Sequence, residues 1–173
     1  MRHALIPHPR SPCEAVTSLE VEVAREGDGL ILRYLLSGDV DRLAIPAPAA
    51  PARVDGLWNH TCFEAFVGGD GDGDGDGYLE FNFAPSSEWA AYRFDGYRLG
   101  MAPLTGIAAP RIATTTMAGA LEVRVALALP AGAVRLGLTA VIEAVGGRTS
   151  YWALRHPADL PDFHHAGGLV LAI

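Results

Sequence analysis

A chain of 173 residues, half of them hydrophobic, is long enough for one domain that buries about 70% of its unfolded surface in a core of its own. Its net charge of -7, with 13 cations that are all arginine and scattered along the chain, excludes an electrostatic nucleic-acid groove. Two cysteines, Cys13 and Cys62, are too few for a disulfide framework, and there is no apolar run of about 18 residues to span a membrane.

The opening MRHALIPHPRSPCEAV lacks the apolar stretch of a secretory signal, so a cytoplasmic protein is expected, with residues 1–16 as an extended arm. Period-2 alternation then dominates. TSLEVEVA (17–24) puts Leu19, Val21 and Val23 on one face and Glu20 and Glu22 on the other. After the REGDG turn, LILRYLLS reads as its hairpin partner. The Pro/Ala stretch 44–56 cannot pair as a central strand and reads as an extended surface connection. TCFEAFV (61–67), YLEFNF (78–83) and EWAAYRF (88–94) are strand candidates, the last returning antiparallel after a PSS turn. Residues 101–120 hold too much Pro, Gly and Thr for a long helix and read as a wandering connection. LEVRVALAL (121–129), VRLGLTAVIEA (134–144), SYWAL (150–154) and GLVLAI (168–173) complete about nine strands. That pattern predicts an all-β fold, a two-sheet antiparallel β-sandwich of jelly-roll type, as a single domain over 1–173.

Residues 68–77 read GGDGDGDGDG. A dinucleotide fingerprint needs glycines at i, i+2 and i+5, and here the third falls on Asp. An EF-hand register from Asp70 places Asp at positions 1, 3 and 5 and Gly75 at position 6. Position 12, which should be Glu, is Phe81, or Phe83 from Asp72. The tract is therefore read as a flexible, solvated hairpin connection; a loose Ca²⁺ site there ranks behind that reading.

The strands on either side carry the candidate chemistry. Leu79, Phe81 and Phe83 share one face, while Tyr78, Glu80 and Asn82 share the other. Phe63, Ala65 and Val67 oppose Cys62, Glu64 and Phe66. If the two strands are neighbours, Glu64, Glu80 and Asn82 line up away from the core. EWAAYRF offers Trp89, Ala91 and Arg93 on one side and Glu88, Ala90, Tyr92 and Phe94 on the other; either set adds a ring beside a polar group. Such a face has three readings: a solvated surface with pairs such as Glu80–Arg93, a sugar cleft, or a carboxylate pair for glycoside hydrolysis. Trp58, Asn59 and His60 stand where a loop meets the sheet, as ligand platform or core plug.

His156, His164 and His165 lie in a Pro-rich loop without HExxH or paired-Cys spacing. They read as turn residues that bond the backbone beside the cleft, and no metal is expected. A haem held by His60 with Met101 or Met117 is the redox alternative. No GxSxG elbow is present, and Cys62, alternating with Phe63, reads as a packed small residue.

LWNHTCFEAFV, YLEFNFAPSSEWAAYRFDGYR, LGLTAVIE, SYWAL and HPADLPDFHH together resemble the bacterial DOMON-like proteins related to the family 9 carbohydrate-binding modules, from about residue 20 to the C-terminus. The resemblance implies a β-sandwich whose relatives bind sugars or haem in a cleft on one sheet face. It further implies Trp58, Glu64, Glu80, Asn82, Trp89, Arg93 and Trp152 as contributors. The expectation is a non-enzymatic module for a small carbohydrate-like ligand without a resident cofactor. Its runners-up are a haem- or metal-binding redox module and a protein-interaction module.

Overall fold

The computed structural model describes residues 1–69, 77–129 and 133–173; the Gly-Asp tract, with its candidate Ca²⁺ register, lies mostly outside them. Among the described residues, the alternating segments become twelve strands: β1 (Arg2–Pro7), β2 (Val16–Glu26), β3 (Gly29–Gly38), β4 (Cys62–Gly68), β5 (Tyr78–Phe83), β6 (Trp89–Phe94), β7 (Ala102–Pro103), β8 (Arg111–Met117), β9 (Ala120–Ala128), β10 (Arg135–Glu143), β11 (Thr149–Ala153) and β12 (Leu171–Ala172). They pair antiparallel in the order β7-β6-β5-β4-β10-β11-β1-β2-β3-β9-β8, with β12 beside the start of β10.

The strand pattern predicted two sheets; the structure has one continuous sheet that curls like a half-barrel. The join is β1, part of the stretch expected as an extended arm. Its residues 2–5 pair with β2, and Ile6 and Pro7 pair with Ala153 and Trp152 of β11. One short strand thus satisfies backbone groups on two edges that would otherwise lie open.

One face of the curl encloses the core. Leu19, Leu32, Leu36 and Leu121 from one half share it with Phe63, Phe81, Phe83 and Leu138 from the other. Tyr34 of β3 crosses between the halves: its ring lies 4.9 Å from Phe63, and its hydroxyl donates to the Glu64 carbonyl at 2.8 Å.

Residues 101–120 were expected to wander, yet 111–117 form an edge strand paired along its length with β9. The Thr114–Thr116 run is β-branched, which suits a half-exposed pleated edge and defeats a search for apolar alternation. The C-terminal strand is shorter than expected because Ala166–Gly168 first makes a 3-10 turn over the sheet. No helix among the described residues is long and apolar enough to cross a membrane.

Candidate functional site

The outer face of β4, β5, β10 and β11 forms the floor of a cleft of about 540 Å³. Register decides what stands there. Glu64 pairs with Asn82 and Phe66 with Glu80, so the two glutamates are diagonal neighbours, a spacing long side chains reach across. Thr139 of β10 sits opposite Glu64 and donates its hydroxyl to Glu64 Oε2 at 2.8 Å. Asn82, on the same face, is fully buried; its Nδ2 donates to Glu80 Oε1 at 2.7 Å, while its Oδ1 accepts from Cys62 Sγ at 3.6 Å. Asn82 therefore aims Glu80.

Aromatic rings wall the cleft: Trp58, Phe66, Phe94, Tyr151 and Phe163. Trp58 follows the left-handed Gly56 in a one-turn 3-10 helix and packs edge-on against Tyr92 at 5.6 Å. Tyr92 in turn donates its hydroxyl to Asp55. Phe94 lies flat on Tyr78 at 4.7 Å, and Phe163 meets both Phe66 and Tyr151 edge-on.

Two loops supply the rim. After β6 the chain turns tightly, with Arg98 held at φ +53°, and the Arg98 backbone N–H donates to Tyr78 Oη at 3.2 Å. Arg98 reaches Asp162 at 3.0 Å, and Tyr97 donates to the same carboxylate. Asp162 also accepts the backbone N–H of His164 at 3.2 Å. Burial alone would raise Asp162; the bonds from Tyr97 and Arg98 outweigh it and hold Asp162 below the usual carboxylate range. His164 Nδ1 lies 2.7 Å from Tyr78 Oη, and its Nε2 is 3.9 Å from Glu80 Oε2.

Electrostatics follow from burial. Glu64 is 2% exposed and Glu80 4%. Loss of water, and then the charge of Glu80, push the Glu64 carboxyl up to about 8, against the hydrogen bond from Thr139. Glu80 is likewise raised by burial, opposed by the Asn82 bond and the positive charge of Arg98. His164 is lowered to about 4 by burial and by Arg98. At neutral pH His164 is uncharged, so its approach to Glu80 is not an ion pair. The floor thus offers a protonated carboxyl at Glu64 beside a second acid at Glu80.

The seven residues implied by resemblance divide. Trp58, Glu64 and Glu80 line the cleft, and Asn82, on the same sheet face, bonds Glu80. Trp89, Arg93 and Trp152 stand on the opposite face. Trp89 pairs with the core residue Phe83 and is itself buried, with Arg53 stacked on its ring at 4.4 Å. Arg93 shares that parity, opposite Leu79, and bonds Asp95 at 2.8 Å, not Glu80. Trp152 pairs with Ala140 in the core, its Nε1 donating to Ser150 at 2.9 Å. Of the haem alternative, only Met101 lines the cleft; His60 lies against Glu143 at 2.8 Å, and Met117 belongs to β8. No group of three or more His, Cys, Asp or Glu side chains is placed to hold a metal among the described residues.

The loop histidines behave partly as expected: His156 bonds the Ile6 carbonyl and His165 caps the 3-10 turn at Gly167, but His164 belongs to the cleft itself. Sequence reasoning also missed Arg98, Tyr151 and Phe163 as lining residues. Only Tyr151 had a usable signal, its alternation with the core residue Trp152. Compared with known proteins, the chain matches no family model and no curated protein.

Proposed function

We propose that this protein is a non-catalytic, cytoplasmic module that binds a small carbohydrate-like ligand in the cleft on the outer sheet face. We further read it as a DOMON-like domain related to the family 9 carbohydrate-binding modules. In that reading, the curl is a joined form of the two-sheet jelly-roll sandwich, and the resemblance of its central strands supports this. The single observation that carries the proposal is the pairing of a buried polar floor with aromatic walls. A pyranose has apolar C–H faces that pack on rings and hydroxyls that need directional partners. Protonated Glu64 donates to such a hydroxyl, and Glu80, aimed by Asn82, accepts from another. The two thiols are unpaired, Cys62 buried and Cys13 half-buried, which suits a reducing compartment.

The test is thermal unfolding against monosaccharides, oligosaccharides and nucleotide sugars. A ligand present at tenfold its Kd adds about 1.4 kcal/mol. For a domain of this size that is a rise of about 3–5 °C. The rise should vanish in Trp58→Ala. Silence across the sugar panel, or a rise that survives Trp58→Ala, rejects the cleft as a sugar site.

A further inference from the structure

We infer that the cleft selects a ligand bearing a protonated amine, an amino sugar in preference to a neutral or acidic one. This rests on the reading of the cleft as a carbohydrate site and specifies its charge. Three independent observations converge.

First, the floor holds two buried carboxyls, and among the described residues no cation pairs directly with either, although the charge of Arg98 reaches Glu80 from the rim. The arginine at the rim is committed to Asp162 at 3.0 Å, and no arginine nitrogen comes within 4 Å of Glu64 or Glu80 among the described residues. The one basic side chain that does approach, His164, is engaged through Nδ1 by Tyr78. Since Tyr78 Oη accepts the Arg98 N–H, its own proton is free for Nδ1, which leaves His164 neutral with Nε2–H toward Glu80.

Second, each glutamate keeps an oxygen for a ligand. Glu64 Oε2 accepts from Thr139 and Glu80 Oε1 from Asn82; Glu64 Oε1 and Glu80 Oε2 accept no hydrogen bond from any described residue. Both side chains are more than nine-tenths buried and both line the cleft. An ammonium group carries three donors; Glu80 Oε2 accepts one, and Glu64 Oε1 accepts a second once the carboxyl gives up its proton.

Third, the walls suit a cation. Phe66, Phe94, Trp58 and Phe163 present rings around the same floor, and a positive charge near ring faces gains electrostatic stabilisation that a neutral hydroxyl does not. A carboxylated sugar gains nothing from those rings and faces the Glu80 carboxyl.

The experiment compares D-glucosamine, D-glucose, N-acetyl-D-glucosamine and D-glucuronate by isothermal titration calorimetry on the intact chain, with cyclohexylamine as an amine that is not a sugar. Glucosamine should bind at least about tenfold tighter than glucose or the N-acetyl sugar, the weight of one charge-assisted hydrogen bond. Binding should release a proton from the acidic floor, seen as a heat that varies with the buffer's ionisation enthalpy. Glu80→Gln should erase the preference, and Glu64→Gln should erase the proton release; the two variants guard against either one failing to fold. Equal affinity for glucose and glucosamine overturns the amine assignment and leaves the sugar cleft standing. Binding of cyclohexylamine without any sugar upholds the amine and rejects the carbohydrate reading. No binding by any of the five overturns both.

Discussion

Tyr78 Oη and His164 Nδ1 lie 2.7 Å apart although 86 residues separate them in the chain. Through this bond, strand β5 holds the loop that closes the cleft, and the same oxygen receives the Arg98 N–H from a second loop. One phenol on a rigid strand fixes both rims.

Tyr78→Phe is therefore expected to keep the fold and loosen the site. Losing the bond and leaving two groups without their partner should cost about 1–2 kcal/mol. It should also speed amide exchange at residues 97–99 and 162–165 while leaving β4 and β10 protected. Hydrogen exchange with mass spectrometry reads this directly; equal exchange in both proteins would show that the phenol does not hold the loops.

Stability should peak in mild acid. Glu64 binds its proton more tightly folded than unfolded, so between about pH 4.5 and 8 the unfolded chain releases a proton that the native state keeps, and stability falls as pH rises. His164 runs the other way: its folded value of about 4 lies below 6.5, so stability falls as pH drops through that window. The two oppose each other between 4.5 and 6.5; above 6.5 the histidine no longer contributes, and Glu64 lowers stability with a slope of at most about 1.4 kcal/mol per pH unit for its one proton, in the same direction as the raised Glu80. Chemical denaturation from pH 4 to 9 should show the decline on the alkaline side, and Glu64→Gln should flatten it. A wild-type curve that climbs from pH 6.5 to 8 would contradict the buried, protonated glutamate.

The tryptophans should separate cleanly. Trp58→Ala removes a wall of the cleft and should weaken ligand binding with little change in Tm. Trp89→Ala empties a buried core position and should cost about 3 kcal/mol, whether or not ligand is present. Denaturation midpoints beside binding isotherms distinguish the two, and matched losses in both variants would mean that the assignment of faces is wrong.

Gly137 is a further test. A Cβ built there would stand 3.0 Å from the Gly168 carbonyl oxygen and 3.5 Å from Leu169 Cα, because the chain after His164 lies directly on the sheet at this point. Gly137→Val should cost about 2 kcal/mol through overpacking and lift the segment that carries His164. Ligand affinity should drop with it. Unchanged affinity would show that the loop does not depend on this close approach.

Much of this was legible in the sequence and some was not, for reasons of geometry. Glu64, Glu80 and Asn82 could be placed on one face because β4 and β5 are bound by period 2 and both show an apolar triplet of fixed parity. Trp89 and Arg93 could not, because β6 has rings at both parities. Its face depends on which residue closes the turn, where Ala84 accepts from Ser87, which is held at φ +83°. Arg98, Phe163 and His164 come from loops that meet only in three dimensions, where no periodicity leads. Strand β8 hid because an exposed threonine edge has β-branching without apolar alternation. The curl itself escaped because it depends on β1, six residues whose pairing with both β2 and β11 leaves no mark in their composition.

That joining strand has a consequence for how the molecule comes to be. Ile6 and Pro7 find their partners at Ala153 and Trp152, nearly the whole chain away, so the seam between the halves is among the most non-local contacts in the protein. Closing so long a loop carries an entropic cost that only late native contacts repay. On the ribosome, β1 emerges long before β11 and cannot complete its pairing until β11 has been made. Each half must hold together in the interval, and the seam is where folding finishes.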